Sequence, residues 1–326
     1  MTTPAPALFV IFNRGSGHGE AAELQSAIAT ACREAGRELH LQGIADPRQI
    51  HRIARETVLR AQAVRGIVVA AGGDGTINAV AQAVLGSGCA FGVLPRGTFN
   101  YFSRTHGIPA ELEAALQLLL HGKPQPVQVG LVNDRVFLVN ASLGLYPKLL
   151  EDREYWKKQL GRSRPVAFLA GLLTLMQGHS NLRLSIEMRG QTPDIREVHE
   201  IRTPTLFVGN NALQMEQIGL PEAQAIDAGQ LAGITLRPLG RWALLGLLLR
   251  GALGRLGEAS QLFNFSFACL TVRASRRFGL GRIKLATDGE IVWMKLPLQF
   301  RVAPEPLLLI RPPGPAAERA GEPEAR

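Results

Sequence analysis

The feature that most constrains this chain is a glycine-rich stretch, Gly72-Gly73-Asp74-Gly75-Thr76-Ile77-Asn78, which lies between apolar runs at residues 66–71 and 79–85. The first run predicts a strand and the second a helix. A strand that passes through glycines into a helix leaves unpaired backbone N–H groups at the helix N-terminus, where anions bind. Thr76 can cap that helix with its hydroxyl group. Asp74 would repel a phosphate unless a cation lay between them, so the stretch predicts a site for nucleotide phosphates and a divalent metal.

The order of strand, polar glycine loop and helix or turn occurs twice more. One apolar run leads into Asn13-Arg14-Gly15-Ser16-Gly17, and another leads into Pro95-Arg96-Gly97-Thr98-Phe99-Asn100. A single glycine-rich loop is often only a tight turn, but parallel strands bring three such loops to one sheet edge, where ligands bind. Arg14 and Arg96 bring positive charge to the same edge, as phosphate recognition requires.

Two better-known phosphate loops are absent from the sequence. None of the three loops ends in Gly-Lys-Ser or Gly-Lys-Thr, which a Walker A loop requires. The first loop does not follow the G-x-G-x-x-G pattern, and no acidic residue stands at a strand end about twenty positions further on. Hydride transfer with a dinucleotide is therefore not supported.

The distribution of apolar runs predicts two domains. Alternating strands and helices continue to about residue 125, and Gly122-Lys123-Pro124-Gln125-Pro126 is interpreted as a linker. We expect an open parallel α/β nucleotide-binding domain at residues 1–125, completed by a last strand at about residues 305–311. Short β-type runs predict a β-sandwich-like domain at residues 126–304. Residues 312–326 are rich in Pro, Ala, Glu and Arg and predict a disordered tail.

Composition narrows the compartment and the partners. The three cysteines, Cys32, Cys89 and Cys269, are too widely spaced for a zinc site or a disulfide framework, so a reducing cytoplasm is expected. A net charge of +9 suits an anionic membrane surface or simply solubility. No nucleic-acid-binding signature accompanies that charge, and aromatic residues make up only 6% of the chain.

The sequence contains no apolar run that reaches the roughly 18 residues of a membrane span, and its N-terminus has no signal-peptide pattern. The stretch at residues 237–250 has Arg at both ends of an apolar run with Trp242 at its boundary. It fits either a helix packed on the second domain or an interfacial helix.

With these motifs in view, the chain resembles the diacylglycerol kinase catalytic family, and within it the soluble bacterial lipid kinases, which are related to sphingosine kinases. The three glycine loops resemble that family's nucleotide loops. Asn140-Ala141-Ser142-Leu143-Gly144, Gly209-Asn210-Asn211 and Asp288-Gly289-Glu290 resemble motifs of its second domain. The resemblance extends over nearly the whole chain.

The resemblance implies a kinase that uses ATP and Mg²⁺ to phosphorylate the hydroxyl of a diacylglycerol-like or related lipid, in a cleft between the two domains. Glu290 would be the general base, with Asp288 beside it, and which of the two takes the proton stays open. Asp74 would be catalytic and would bind the catalytic Mg²⁺ directly or through water. The residues that would hold ATP are Asn13, Arg14, Gly15, Ser16, Gly17, Gly72, Gly73, Asp74, Gly75, Thr76, Ile77, Asn78 and Thr98.

Several positions depart from the family pattern. Ala79 and Tyr101 stand where acidic residues are common, and Ala228 stands where a ligand of a structural magnesium ion is expected. Asp227 lies one residue earlier and is the candidate ligand of a shifted structural metal site.

Three functions remain open from the sequence. The first is a lipid kinase of phospholipid metabolism, cytoplasmic and peripheral at the anionic inner membrane surface. The second is a kinase of a soluble substrate, because NAD kinases share the GGDGT loop although they lack the LPxGTxN segment. The third is a non-catalytic nucleotide-binding sensor, because Ala79, Tyr101 and Ala228 stand where the family pattern has acidic residues or a metal ligand. Neither the acceptor lipid nor the oligomeric state follows from the sequence.

Overall fold

The computed structural model describes residues 5–13, 18–145, 147, 181–189, 196–217, 219, 222–240, 242–243, 246, 261–274 and 281–313. The chain divides into two compact units. The first unit comprises Met1–Val127 and Glu305–Arg326, and the second comprises Gln128–Pro304.

The first unit is built on a six-stranded sheet with the strand order β2-β1-β3-β4-β18-β5. Its strands are β1 (Leu8–Asn13), β2 (Leu39–Ile44), β3 (Ile67–Gly72), β4 (Ala90–Pro95), β5 (Lys123–Val127) and β18 (Leu307–Arg311). Its helices are α1 (His18–Glu34), α2 (Ile50–Ala63), α3 (Asp74–Val84), α4 (Tyr101–Thr105) and α5 (Leu112–His121).

The central strands of this sheet are apolar because both of their faces are covered. All six residues of β3 are buried, and so are the first five of β1. Helices α1 and α5 contribute Ile28 and Leu119 to a core that includes Val10 and Val69 of the sheet. Each such side chain stabilises the fold by about 1.5–3 kcal/mol when fully buried.

The interpretation of Gly122-Lys123-Pro124-Gln125-Pro126 as a linker is wrong. Lys123–Val127 forms β5, an edge strand that pairs antiparallel with β18. Pro124 and Pro126 are tolerated because a strand with one open edge does not need every N–H group for pairing. The sheet is therefore parallel from β2 to β18 and antiparallel at its last strand.

The described part of the second unit consists mainly of two six-stranded antiparallel sheets, with strand orders β10-β9-β14-β17-β6-β7 and β13-β12-β11-β8-β15-β16. The first of these contains β6 (Gly130–Val132), β7 (Arg135–Phe137), β9 (Leu182–Arg189), β10 (Arg196–Thr203), β14 (Cys269–Ala274) and β17 (Leu298–Val302). The other contains β8 (Asn140–Gly144), β11 (Thr205–Gly209), β12 (Leu231–Leu236), β13 (Leu262–Phe267), β15 (Arg282–Thr287) and β16 (Glu290–Lys295).

One apolar core joins these two sheets. Leu184 and Val272 of the first sheet share it with Leu143 and Leu285 of the other, and all four side chains are buried. Two short helices, α6 (Ala212–Gln217) and α7 (Ala223–Asp227), form a smaller core with β12. The expected combination of an α/β sheet with further β sheets is confirmed.

Among the described helices, none is long and apolar enough to cross a membrane. Half of the stretch at residues 237–250 lies outside the described residues, although Trp242 is described and is exposed.

Candidate active site

The GGDGT loop is the turn from β3 into α3. Gly72 ends the strand, Gly73 is the N-cap, and the helix already begins at Asp74. The expectation that Thr76 caps the helix is wrong, since no side chain makes a capping hydrogen bond there. Thr76 has a packing role instead: a Cβ atom on Gly72 would lie 2.7 Å from both the Cβ and the Oγ1 of Thr76. Glycine is therefore required at position 72 for the strand to turn this sharply.

The first helical turns bury two of the predicted nucleotide contacts. Ile77 is fully buried in α3, and Asn78 beside it is nearly so. Gly73, Asp74, Gly75 and Thr76 are more accessible and form the start of the helix.

The third glycine loop lies directly against the GGDGT loop. The backbone N–H of Arg96 donates to the carbonyl oxygen of Gly72 at 2.9 Å. A Cβ atom on Gly97 would come within 2.9 Å of the Cα of Gly73. The two loops touch through their backbones, so Gly97 must lack a side chain for them to meet.

Asn100 holds the third loop in shape. It adopts a left-handed conformation with φ 48°, which asparagine tolerates better than most residues. Its side-chain Oδ1 accepts from the N–H of Gly97 at 3.0 Å, and its Nδ2 donates to the Gly97 carbonyl at 2.9 Å. Between these residues Thr98 is exposed, and the exposed ring of Phe99 stacks on Tyr101.

The carboxylate of Asp74 connects the two loops. Its Oδ2 accepts a hydrogen bond from the backbone N–H of Asn100 at 3.1 Å. Burial raises the pKa of Asp74, and backbone N–H groups of Asn100, Phe102 and Tyr101 oppose that rise. The other oxygen, Oδ1, is buried and has no hydrogen-bond partner among the described residues. A desolvated carboxylate with one uncommitted oxygen fits the hard, oxygen-seeking Mg²⁺ ion.

The first glycine loop is only partly described. Asn13 ends β1, which lies beside β3 in register with Phe12 opposite Ala71. β3 in turn pairs with β4 up to Gly72 and Pro95. The three strands therefore end at one edge of the sheet, as expected. Arg14, Gly15, Ser16 and Gly17 lie outside the described residues.

The Asp288-Gly289-Glu290 motif is a tight hairpin turn between β15 and β16 in the second unit. Thr287 pairs with Glu290, and both Asp288 and Gly289 have positive φ angles, 47° and 85°. A two-residue turn with both central residues in the left-handed region matches the twist of the flanking strands.

The two carboxylates of this turn have different surroundings. Asp288 accepts three backbone N–H bonds: Leu138 at 2.7 Å, Val139 at 2.9 Å and Asn140 at 2.9 Å. Glu290 is half exposed and pairs with the guanidinium of Arg135 at 2.7 Å. Asp288 therefore fixes the backbone between β7 and β8, while Glu290 faces a more open environment.

Arg135 is a site residue that the sequence did not indicate. Its Nε donates to the Thr287 hydroxyl at 2.9 Å while its Nη2 binds Glu290, so it is held on both sides of the turn. It stands 155 positions before Glu290, and no local pattern connects residues so far apart. Gly97 and Asn100 were part of a recognised motif but had no assigned role.

The predicted structural metal site centres on Asp227. Asp227 is exposed at the end of α7. The nearby carbonyl of Gln230 accepts a hydrogen bond from the amide of Gln128 at 3.0 Å, and the same amide donates to Asn210 at 2.8 Å. Within the described part of the chain, no group of three or more His, Cys, Asp or Glu residues could hold a metal ion. The structural site at Asp227 stays a prediction without support in this region.

Comparison with known proteins agrees with these features. The family model of the diacylglycerol kinase catalytic domain matches residues 7–132. A probable lipid kinase YegS-like of Pseudomonas aeruginosa (strain UCBPP-PA14) is 34% identical over 248 residues, which is 73% of this chain and 76% of that protein. A probable lipid kinase YegS-like of Klebsiella pneumoniae is 46% identical over 79 residues, 24% of this chain and 27% of the relative.

Solved structures show the same fold. A putative diacylglycerol kinase from Bacillus anthracis superposes with a TM-score of 0.70 at 20% identity, over 97% of this chain and all of that one. A second diacylglycerol kinase structure from the same organism gives a TM-score of 0.66 at 19% identity. The chain belongs to the diacylglycerol kinase family of lipid kinases, enzymes that transfer a phosphoryl group to an alcohol acceptor.

Proposed function

We propose that this protein transfers the γ-phosphoryl group of ATP, with Mg²⁺, to a hydroxyl of diacylglycerol or a related lipid. The observation that carries the proposal is the contact between the GGDGT loop and the third loop, with the Asp74 carboxylate between them. Phosphoryl transfer depends on positioning and charge neutralisation, and these loops offer backbone N–H groups together with one uncommitted carboxylate oxygen.

In this proposal Asp74 is held ready before any ligand arrives. The N–H of Asn100 fixes Oδ2 and so orients Oδ1. Asp74 would bind Mg²⁺ through Oδ1 directly or through water, and the ion would neutralise charge on the phosphates. The glycines from Gly72 to Gly75, with Asn13 and Thr98 at the same sheet edge, would lie along the phosphates. Arg14, Gly15, Ser16 and Gly17 complete the proposed ATP contacts.

The DGE turn would supply the base. Asp288 has three N–H donors on its carboxylate, so we assign it to shaping the turn. Glu290 makes one ion pair and remains half exposed, so its carboxylate can reach a substrate hydroxyl. Arg135 would hold Glu290 in position through its second contact at Thr287.

We further propose that the second unit carries the lipid-binding surface and that the first unit is the nucleotide-binding domain. The net charge of +9 supports work at the anionic inner membrane surface of the cytoplasm, since each basic residue near such a surface adds about 1 kcal/mol of attraction. Diacylglycerol, a sphingoid base and phosphatidylglycerol all offer a hydroxyl on an apolar body.

The test is transfer of labelled γ-phosphate from ATP to a panel of these lipids in mixed micelles, with NAD as the soluble acceptor. Asp74→Asn and Glu290→Gln should abolish the labelled lipid, and Glu113→Gln, at an exposed position of α5, should leave it unchanged. Label on NAD alone would favour the soluble-substrate kinase. Nucleotide binding without any labelled product would favour the sensor.

A further inference from the structure

A cavity lies at the edge of the first unit's sheet that is opposite the phosphate loops. Its volume is about 580 Å³, and its lining includes Ile67 and Ala90, the first residues of β3 and β4. The phosphate loops follow the last residues of the same strands. A six-residue strand is about 20 Å long, so this cavity is separate from the candidate active site. Its size lies within the range of about 300–1,000 Å³ that is usual for small-molecule sites.

Two arginines at the ends of helices lie beside this cavity. Arg37 follows α1, and its backbone N–H donates to Cys32 at 2.8 Å. Arg65 follows α2, where Gly66 donates to Ala61 at 2.8 Å. In both cases an N–H group donates to the carbonyl five residues earlier, which is the hydrogen bond of the Schellman motif that ends many helices.

Arg65 occupies the position that such a motif normally gives to glycine. Its φ of 51° is left-handed, which costs an ordinary side chain about 1 kcal/mol. A charged residue therefore stands in the cavity lining at a position where glycine would be less strained. Strained residues of this kind cluster at ligand sites.

Arg37 and Arg65 bring positive charge to the lining of the cavity. No ion pair joins Arg37 or Arg65 to a carboxylate within the described residues. The Nη1 of Arg37 donates one long hydrogen bond, 3.4 Å, to the carbonyl oxygen of Leu120. The Nε of Arg37 is buried and has no hydrogen-bond partner among the described residues. Burial accordingly lowers the pKa of the Arg37 guanidinium.

The neutral polar groups of the lining, by contrast, are already bonded to one another. Gln62 donates to the carbonyl of Ser87 at 2.7 Å, and the Ser87 hydroxyl accepts from the N–H of Cys89 at 3.1 Å. Ile67, Cys89, Ala90, Leu308 and Ile310 supply an apolar wall. The cavity thus combines two cations with apolar surface.

We propose that this cavity is a binding site for an anionic amphiphile, with a carboxylate or phosphate head on the two arginines and an apolar chain along the wall. A guanidinium matches both heads because its N–H groups form a planar fork. The apolar lining favours a head that carries a chain over the free anion.

Isothermal titration calorimetry on the full chain, without nucleotide, tests this proposal. The probes are decanoate, decyl phosphate, inorganic phosphate and decanol, each below its aggregation concentration. The two anionic amphiphiles should bind more tightly than phosphate or decanol. Arg37→Gln and Arg65→Gly should each weaken them about tenfold or more. The matched control Arg55→Gln, at an exposed position on α2, should bind like the wild type.

Arg65→Gly also keeps the test valid if Arg37→Gln unfolds, because glycine suits the left-handed position. A second readout is alkylation of Cys89, which is buried in the lining and should react more slowly when the amphiphile is bound. Equal binding by wild type and both variants, unchanged Cys89 alkylation or no binding by the wild type would each overturn the proposal. Arginines that only cap helices would change the melting temperature and leave the affinities unaltered.

Discussion

Replacing Asp288 should destabilise the second unit far more than replacing its neighbour Glu290. Asp288→Ala removes the acceptor of three backbone N–H groups, at residues 138, 139 and 140. Hydrogen bonds to a charged group contribute about 1.5–3 kcal/mol each, and Asp288 is half-buried, so water can partly replace it. We expect a loss of about 3–6 kcal/mol in the free energy of unfolding. Alanine must also adopt the φ of 47°, which adds strain.

Glu290→Ala provides the matched control. It removes one ion pair with Arg135 at a half-exposed position, which is worth at most about 1 kcal/mol. Asp288→Asn should be intermediate, because its amide oxygen can still accept from Val139 and Asn140. Urea unfolding followed by circular dichroism measures all three variants.

Hydrogen exchange locates the effect. In Asp288→Ala the amides of residues 138–140 should lose their protection, and in Glu290→Ala they should keep it. A loss below about 0.5 kcal/mol for Asp288→Ala, or equal losses for the two alanine variants, would refute the assignment of Asp288 to shaping the turn.

Three further predictions concern the first unit. Asp74→Asn should lower kcat at least about a hundredfold with an unchanged circular dichroism spectrum, whereas unfolding would show that its role is structural. Gly97→Ala places a Cβ 2.7 Å from the Asn100 Oδ1, so the free energy of unfolding should fall by about 1–3 kcal/mol in differential scanning calorimetry. An unchanged melting temperature would contradict the close approach of the loops. Burial lowers the pKa of His106 from 6.5 to about 4. Between pH 6.5 and pH 4 the unfolded chain therefore binds a proton at His106 that the folded protein does not bind. The free energy of unfolding should accordingly be highest above pH 6.5 and fall by about 3 kcal/mol towards pH 4. His106→Gln should remove that fall in urea titrations at each pH, and the same fall in the variant would exclude His106 as its source.

The central strands were predictable from the sequence because burial on both faces demands apolar residues throughout. The apolar runs before the second and third glycine loops became β3 and β4 almost residue for residue. The apolar pattern did not indicate β2, β5, β10 or β13, and each of these is an edge strand of its sheet. An edge strand can carry prolines, as Lys123–Val127 does, or alternating charges, as Arg196–Thr203 does, since only one side must pair.

The candidate site was predictable in its residue types and less so in its contacts. The glycines and Asp74 stand out because a carboxylate inside a phosphate loop needs a cation. The hydrogen bond from the N–H of Asn100 to Asp74 depends on how two loops meet, which no local pattern shows. Thr76 was predicted to cap the helix, but in the structure it packs against Gly72. Asp288 and Glu290 looked like an equivalent pair in sequence, and only the surrounding backbone separates them.

The position of β18 sets the order in which the chain can finish folding during synthesis. This strand lies between β4 and β5, yet its residues follow the whole second unit along the chain. While the ribosome is still making the second unit, β4 and β5 lack the partner that joins them and leave sheet edges open to wrong pairing. The first unit is therefore begun first and closed last, because its sheet is complete only when β18 has been made.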